Sequence, residues 1–243
     1  MPTRYSRGHR MPTFDKDQQP LFAREGLFRQ KLNQLRTVGQ INTRSAPETK
    51  SRFKELEQES YLTNVQTSMA KGDPQEAERI ALLDSTTELY NRTTIVRIIR
   101  DELKRAKRYK HNMGLLVVTI DELDTINKKH GAATVESIIK GVANFLMTAV
   151  RDVDIPARYD NNVFLILCPE TEPKGVSVLA ERVRSKIMLT RVSDVGQNWH
   201  VTVSQGIAAY PGAAVKADEL IQNAIIAANT ANKAGGNKTE YAE

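Results

Sequence analysis

Two β-rich runs, Ile155–Tyr159 and Val163–Cys168, are separated only by Asp160, Asn161 and Asn162. Asp and Asn tolerate left-handed backbone angles, so the junction reads as a tight turn and the runs as the arms of a β-hairpin. The segments on either side carry helical periodicity. Asn91–Tyr109 is a basic amphipathic helix with Ile95, Ile98, Ile99 and Leu103 on one face, and Ala133–Val150 runs through Val135, Ile138, Ile139, Val142 and Leu146. Lys174–Leu189 and Lys216–Ala234 read as further helices, Met113–Ile120 as a buried strand and Trp199–Ala208 as another strand. The order α-β-α-β-β-α-β-α predicts an α+β sandwich, with helices against a mostly antiparallel sheet, of the split-βαβ type.

The chain ahead of this pattern differs in character. Residues 1–52 carry eleven Lys and Arg against four Asp and Glu, a net +7, while the rest of the chain sums to −1. The whole-chain charge of +6 therefore does not describe a domain that is basic all over, and this argues against a compact nucleic-acid binder. Residues 1–19 and 37–51 are polar and without sustained periodicity, a composition that reads as disordered. Between them Pro20 suits a first helical position, and Phe28, Leu32 and Leu35 share one helical face, although Gly26 weakens the helix. Segment 20–36 is either an incidental apolar cluster or a short basic helix that docks on a protein partner or on this chain's own domain. A membrane-surface helix ranks lower because the apolar face is short. Residues 53–83 read as a helical linker, broken at Gly72-Asp73-Pro74 and suited to pairing with a second copy, so a homodimer is one expectation. The one cysteine, Cys168, excludes an internal disulfide framework and a cysteine-rich zinc site. Leu115–Ile120 and Val163–Cys168, the longest apolar runs, are too short to span a bilayer, and the expectation is a cytoplasmic protein.

Five stretches in order resemble the signatures of GGDEF (diguanylate cyclase) domains. Asp84-Ser-Thr-Thr-Glu-Leu-Tyr-Asn-Arg92 is similar to the opening D-x-L-T-G-L-x-N-R. Leu115-Leu-Val-Val-Thr-Ile-Asp-Glu-Leu-Asp-Thr-Ile-Asn127 is similar to L-x-x-x-D-I-D-x-F-K-x-I-N, and Arg158-Tyr-Asp-Asn-Asn-Val-Phe164 occupies the place of R-Y-G-G-D-E-F. Leu179-Ala-Glu-Arg-Val-Arg184 and Val201-Thr-Val-Ser-Gln-Gly-Ile-Ala208 complete the set. The resemblance implies a nucleotide-cyclase or palm-like sandwich over residues 84–238.

Members of that family join two GTP molecules into cyclic di-GMP, a transfer that uses two divalent ions held by carboxylates. The resemblance puts the first Asp of D-I-D at Thr119, the hairpin's acidic pair at Asn162 and Val163, and its two glycines at Asp160 and Asn161. Phe164 keeps the final aromatic, and the phosphate-holding Lys and Arg of the closing motif fall on Asn232 and Gly236. Thr and Asn offer only neutral oxygens and Val offers none, so the expectation is a domain without catalytic residues or bound metal, and not an enzyme. Asp121, with Glu122 and Asp124, reads as one of several exposed acids on the turn after the strand, a lone metal site being the alternative. Asn127 matches a guanine-contacting Asn and Glu136 stands where a guanine-binding Asp is usual, so a vestigial nucleoside site is either weakly retained or without function.

Arg151-Asp-Val-Asp154 stands five residues before the hairpin turn, where the family carries its R-x-x-D inhibitory site for cyclic di-GMP. Arg182 matches a second arginine that assists there. An arginine fork suits guanine O6/N7 or a phosphate and also stacks, while a carboxylate accepts from guanine N1–H and N2–H. The bland alternative is an ancestral surface ion pair at i, i+3, worth about 0–1 kcal/mol. The expectation carried forward is a non-catalytic cyclic di-GMP receptor, needing no other cofactor, that signals to a protein partner through residues 20–36. A protein-interaction scaffold without a nucleotide ligand is the alternative.

Overall fold

The computed structural model describes residues 81–191 and 199–242. The tail 1–52, its segment 20–36 and most of the linker 53–83 lie outside the described residues. In chain order the elements are α1 (Arg92–Tyr109), β1 (Met113–Ile120), α2 (Leu123–His130), α3 (Ala132–Ala149), β2 (Ile155–Asp160), β3 (Val163–Pro169), α4 (Pro173–Leu189), β4 (Val203–Tyr210), α5 (Ala217–Lys233) and β5 (Thr239–Tyr241). The strands form one sheet in the order β2-β3-β1-β4-β5, antiparallel throughout except for the parallel β4–β5 pair. The expected α+β sandwich is the observed fold.

Helices cover both faces of the sheet, which explains why all eight residues of β1 are buried and why it reads as an unbroken apolar run. Leu116, Val118 and Ile120 join Ile138, Val142, Leu146 and Val183 in the core under α3 and α4. Leu115 and Val117 point the other way, to Ile95, Ile99 and Leu220 under α1 and α5. Helix α5 lies directly on β4 at Gly206, where a side chain would run into the backbone of Ala224 and Ala228. Asn91 caps α1 by accepting from Thr94 N–H at 2.9 Å. Ahead of it, Tyr90 covers the outer edge of β2, its carbonyl accepting from Arg158 N–H at 2.9 Å.

Three expectations need correction. The order lacked α2 and β5: α2 is two turns with one buried residue, Leu123, and β5 is three residues defined by pairing with β4. Neither leaves a periodic trace. The hairpin forms, but its turn at Asn161 and Asn162 uses no positive φ; a bulge at Tyr159, between the Arg158 and Asp160 pairings, absorbs the irregularity instead. The last strand begins at Val203 rather than Trp199, whose ring packs on the core and meets His130 edge-on at 4.8 Å. No helix among the described residues is long and apolar enough to cross a membrane.

Candidate functional site

The sheet presents two corners built from the residues singled out above. At the C-terminal end of β1, Thr119 pairs with Val163 on one side and Ser204 on the other, so the substituted positions do come together. Thr119 is buried, Val163 is half-buried, and Asn162 uses its carbonyl to accept from Ile120 N–H at 3.2 Å. Asp160 is exposed and turns its Oδ1 onto the N–H of Asn161 at 2.8 Å, closing the hairpin. Phe164 is fully enclosed in the core. Arg158 anchors the hairpin, donating to both carboxylate oxygens of Asp84 at 3.1 and 3.2 Å and to the Asn161 carbonyl at 3.2 Å.

Asp121 is not the exposed acid expected from sequence. It is buried, and four donors close on its carboxylate: Thr202 Oγ1 at 2.7 Å, Ser204 Oγ at 2.6 Å, Asn232 Nδ2 at 2.7 Å and Asn237 N–H at 2.9 Å. Gly236, at φ +72°, lets the chain pass so close that a Cβ there would sit 3.0 Å from Asp121 Oδ2. Asn237 in turn receives Arg184 on its side-chain oxygen at 2.8 Å. Glu122 and Asp124 are exposed, as expected. A signal for this network was available, because Thr202 and Ser204 alternate with Val201 and Val203 and so aim two hydroxyls to one side of a strand.

This corner does not fit a pair of hard divalent ions. Thr119 and Asn162 supply neutral oxygens, Val163 supplies none, and the Asp121 lone pairs are taken by neutral donors. Among the described residues, no three His, Cys, Asp or Glu side chains group as a metal site. Asn127 is exposed on α2, and Glu136 near the start of α3 is engaged by Lys140 at 3.4 Å.

The second corner lies at the other end of the sheet, in the turn between α3 and β2. Asp154 N–H donates to the Arg151 carbonyl at 3.1 Å and Asp154 Oδ2 accepts from Arg151 N–H at 2.9 Å, so the R-x-x-D turn is closed by the backbone of one residue and both parts of the other. Asp154 is buried, and its carboxylate acts on the buried thiol of Cys168 in β3. Burial pushes the Cys168 thiol well above its usual pKa and the Asp154 charge adds to that. Arg151 and Arg182 pull the other way, which brings both guanidinium groups within electrostatic range of the same thiol. Arg151, Asp154 and Arg182 thus all act electrostatically on Cys168, a residue that the sequence alone offered only as a lone cysteine. Arg151 is exposed, and neither arginine has an ion-pair partner among the described residues. The acid next to Arg182, Glu181, is taken by Arg184 at 2.7 and 3.0 Å and by Ser185 at 2.7 Å. The hydrogen bonds from Arg184 and then Ser185 lower its carboxyl pKa to about 2.

Residues 81–238 match the family described as diguanylate cyclase, GGDEF domain. The diguanylate cyclase DgcP of Pseudomonas aeruginosa is 29% identical over 162 residues, covering 67% of this chain and 24% of that protein. The GGDEF domain of DgcB from Caulobacter crescentus, solved in complex with c-di-GMP, superposes with a TM-score of 0.63 at 22% identity over 67% of this chain and 94% of that one. Diguanylate cyclase SiaD of P. aeruginosa, solved with its activator SiaC, gives a TM-score of 0.63 at 20% identity over 90% of this chain and 80% of that one. At these identities the structural likeness shows the fold alone. The chain spans 21–35% of the length of the first curated relatives it matches.

Proposed function

Because this chain belongs to the GGDEF family of diguanylate cyclase domains, we propose that it is a cyclic di-GMP receptor that does not synthesise the dinucleotide. The observation that supports this reading is that Arg151 and Arg182, both without ion-pair partners among the described residues, act electrostatically on the same buried thiol as Asp154. Two planar forks next to a carboxylate offer donors to guanine O6/N7 and phosphate and an acceptor to guanine N–H groups. Loss of synthesis follows from the other corner. With Thr119, Asn162 and Val163 in place of carboxylates, and Asn232 and Gly236 in place of cations, these positions hold neither the ions nor the triphosphate charge. The chain signals to a protein partner through residues 20–36, in the cytoplasm and with the linker 53–83 available for homodimerisation. Solution of SiaD with an activator protein supports a protein partner as the class to seek.

Calorimetric titration of the full chain with cyclic di-GMP is the test. Wild type binds, Arg151→Ala loses at least about tenfold in affinity, and incubation with GTP and Mg²⁺ or Mn²⁺ yields no cyclic di-GMP. Absence of binding at about 50 μM protein, or equal binding by the variant, refutes the receptor, and product from GTP refutes the loss of synthesis. The second reading, a scaffold without nucleotide ligand, is favoured by the near-complete enclosure of Asp154 and its use in closing its own turn. It requires that Arg151→Ala leave partner engagement intact while deletion of residues 1–52 abolishes it.

A further inference from the structure

Strand β3 turns Phe164, Ile166 and Cys168 to the core under α3 and α4. The first two fill it with hydrocarbon. The third puts a thiol there, 1% exposed and the one cysteine of the chain. Register decides what that thiol meets. Ile155 stands opposite Leu167 where β2 begins, so one further step of the antiparallel ladder sets Asp154 opposite Cys168. Directly opposed residues in such a pair carry Cβ atoms about 5 Å apart. Alternation along the chain agrees, because Ile155 packs toward α1 and α5 and its neighbour Asp154 therefore turns to the side of α3 and α4, as Cys168 does. Burial and then the Asp154 charge push the thiol's pKa up, so Cys168 keeps its proton and can donate it. The Ile166 carbonyl, 4.0 Å from Sγ, is a long contact even for sulfur.

We propose that Cys168 is a positioning residue of the ligand site: its thiol donates to the Asp154 carboxylate and sets the plane in which that carboxylate meets a guanine edge. The inference rests on the receptor reading above and names a residue that tunes the same site. Asp154 Oδ2 accepts from Arg151 N–H at 2.9 Å, which places one oxygen. The terminal torsion of an aspartate is broad, so one donor does not by itself set the carboxylate plane. A guanine that offers N1–H and N2–H side by side needs that plane fixed before it arrives. A thiol facing the carboxylate from the neighbouring strand supplies the second point of attachment, and the strand that carries it does not move with the turn. A buried cysteine that only filled space would behave as a small hydrophobe, and valine would then replace it without consequence for the ligand.

The test has two arms on the full chain. The first is the infrared S–H stretch without ligand; with one cysteine in the chain, the band belongs to Cys168. It lies below the frequency of an unbonded thiol in wild type and moves up in Asp154→Asn, where a neutral acceptor replaces a charged one. The second arm is calorimetric titration with cyclic di-GMP. Cys168→Val removes the donor and weakens binding about three- to tenfold, whereas Cys168→Ser restores a donor and stays within about twofold of wild type. Melting temperatures establish that the variants fold; should Cys168→Val not fold, Cys168→Ala is read in its place. An S–H band that Asp154→Asn leaves where it was, wild-type affinity in Cys168→Val, or equal losses in the valine and serine variants overturns the proposal. The two readings fail separately. If wild type does not bind the dinucleotide, the receptor falls and the positioning role with it; if wild type binds and the band does not move, only the positioning role falls.

Discussion

Asp121 and Asp154 are both aspartates buried at the edge of the same sheet, 6% and 4% exposed, yet their surroundings are opposite in kind. Asp121 is held by two hydroxyls, an amide and a backbone N–H from three separate stretches of chain, and among the described residues no cation pairs with it. Asp154 accepts from the Arg151 N–H and acts on the Cys168 thiol, which Arg151 and Arg182, uncommitted to acids among the described residues, also influence electrostatically. A carboxylate saturated by neutral donors has done its work once the chain is folded. Under the proposed function the first corner is architecture and the second the receptor site.

The sharpest way to break this comparison is to remove each carboxylate. Asp121→Ala strands two hydroxyls, an amide and an N–H at once, and is expected to cost about 3–4 kcal/mol, read as a lower urea midpoint. Asp154→Ala is expected to cost roughly half as much while abolishing cyclic di-GMP binding in calorimetry. If Asp154→Ala destabilises the chain as much as Asp121→Ala and binding disappears only through unfolding, the two corners do not differ in kind.

A subtler variant sharpens the second corner without touching the fold. Arg151→Lys keeps the charge and loses the planar fork, so long-range attraction survives and paired recognition does not. Its expected effect is a five- to tenfold weaker dissociation constant for cyclic di-GMP, about 1 kcal/mol, with stability within about 0.5 kcal/mol of wild type because Arg151 is exposed. Wild-type affinity in this variant would mean that Arg151 acts as a point charge only.

What could be read from the chain divides along physical lines. The core elements were legible because each buries an apolar face that leaves a period: Met113–Ile120 is recovered residue for residue, and α1, α3, α4 and α5 to within a residue or two. Helix α2 buries only Leu123 and strand β5 exists by hydrogen bonds to β4, so neither writes a pattern. At the sites the limit is different. Substitutions at Thr119, Asn162 and Val163 could be counted from sequence, but the fate of Asp121 depended on Asn232 and Asn237, more than a hundred residues away. Cys168 had no sequence signal linking it to Asp154, since only the turn after α3 sets one against the other. The family's phosphate positions were read as simple losses; Asn232 and Gly236 in fact serve the closed network, one as donor and one as the gap that admits it.

The smallest expected effect tests whether the two corners are independent, because Arg184 touches both. It binds Glu181, next to Arg182, and also Asn237, which sits on Asp121. The carboxyl of Glu181 titrates near 2 in the folded chain, below its ordinary 4.5, owing first to the hydrogen bond from Arg184. A depressed carboxyl stabilises the fold above its unfolded pKa, and that contribution disappears as pH falls from about 4.5 to about 2. Its side chain is 59% exposed, so solvent and salt screen the pair to a few tenths of a kcal/mol. Glu181→Gln should therefore be slightly less stable than wild type at pH 7, equal to it near pH 2, and closer to it in high salt, as followed by urea unfolding across that range. Arg184 keeps Asn237 in this variant, so cyclic di-GMP affinity at pH 7 should not change. A loss of affinity without unfolding would show that the latch at Asp121 and the arginines around Asp154 are mechanically coupled through α4.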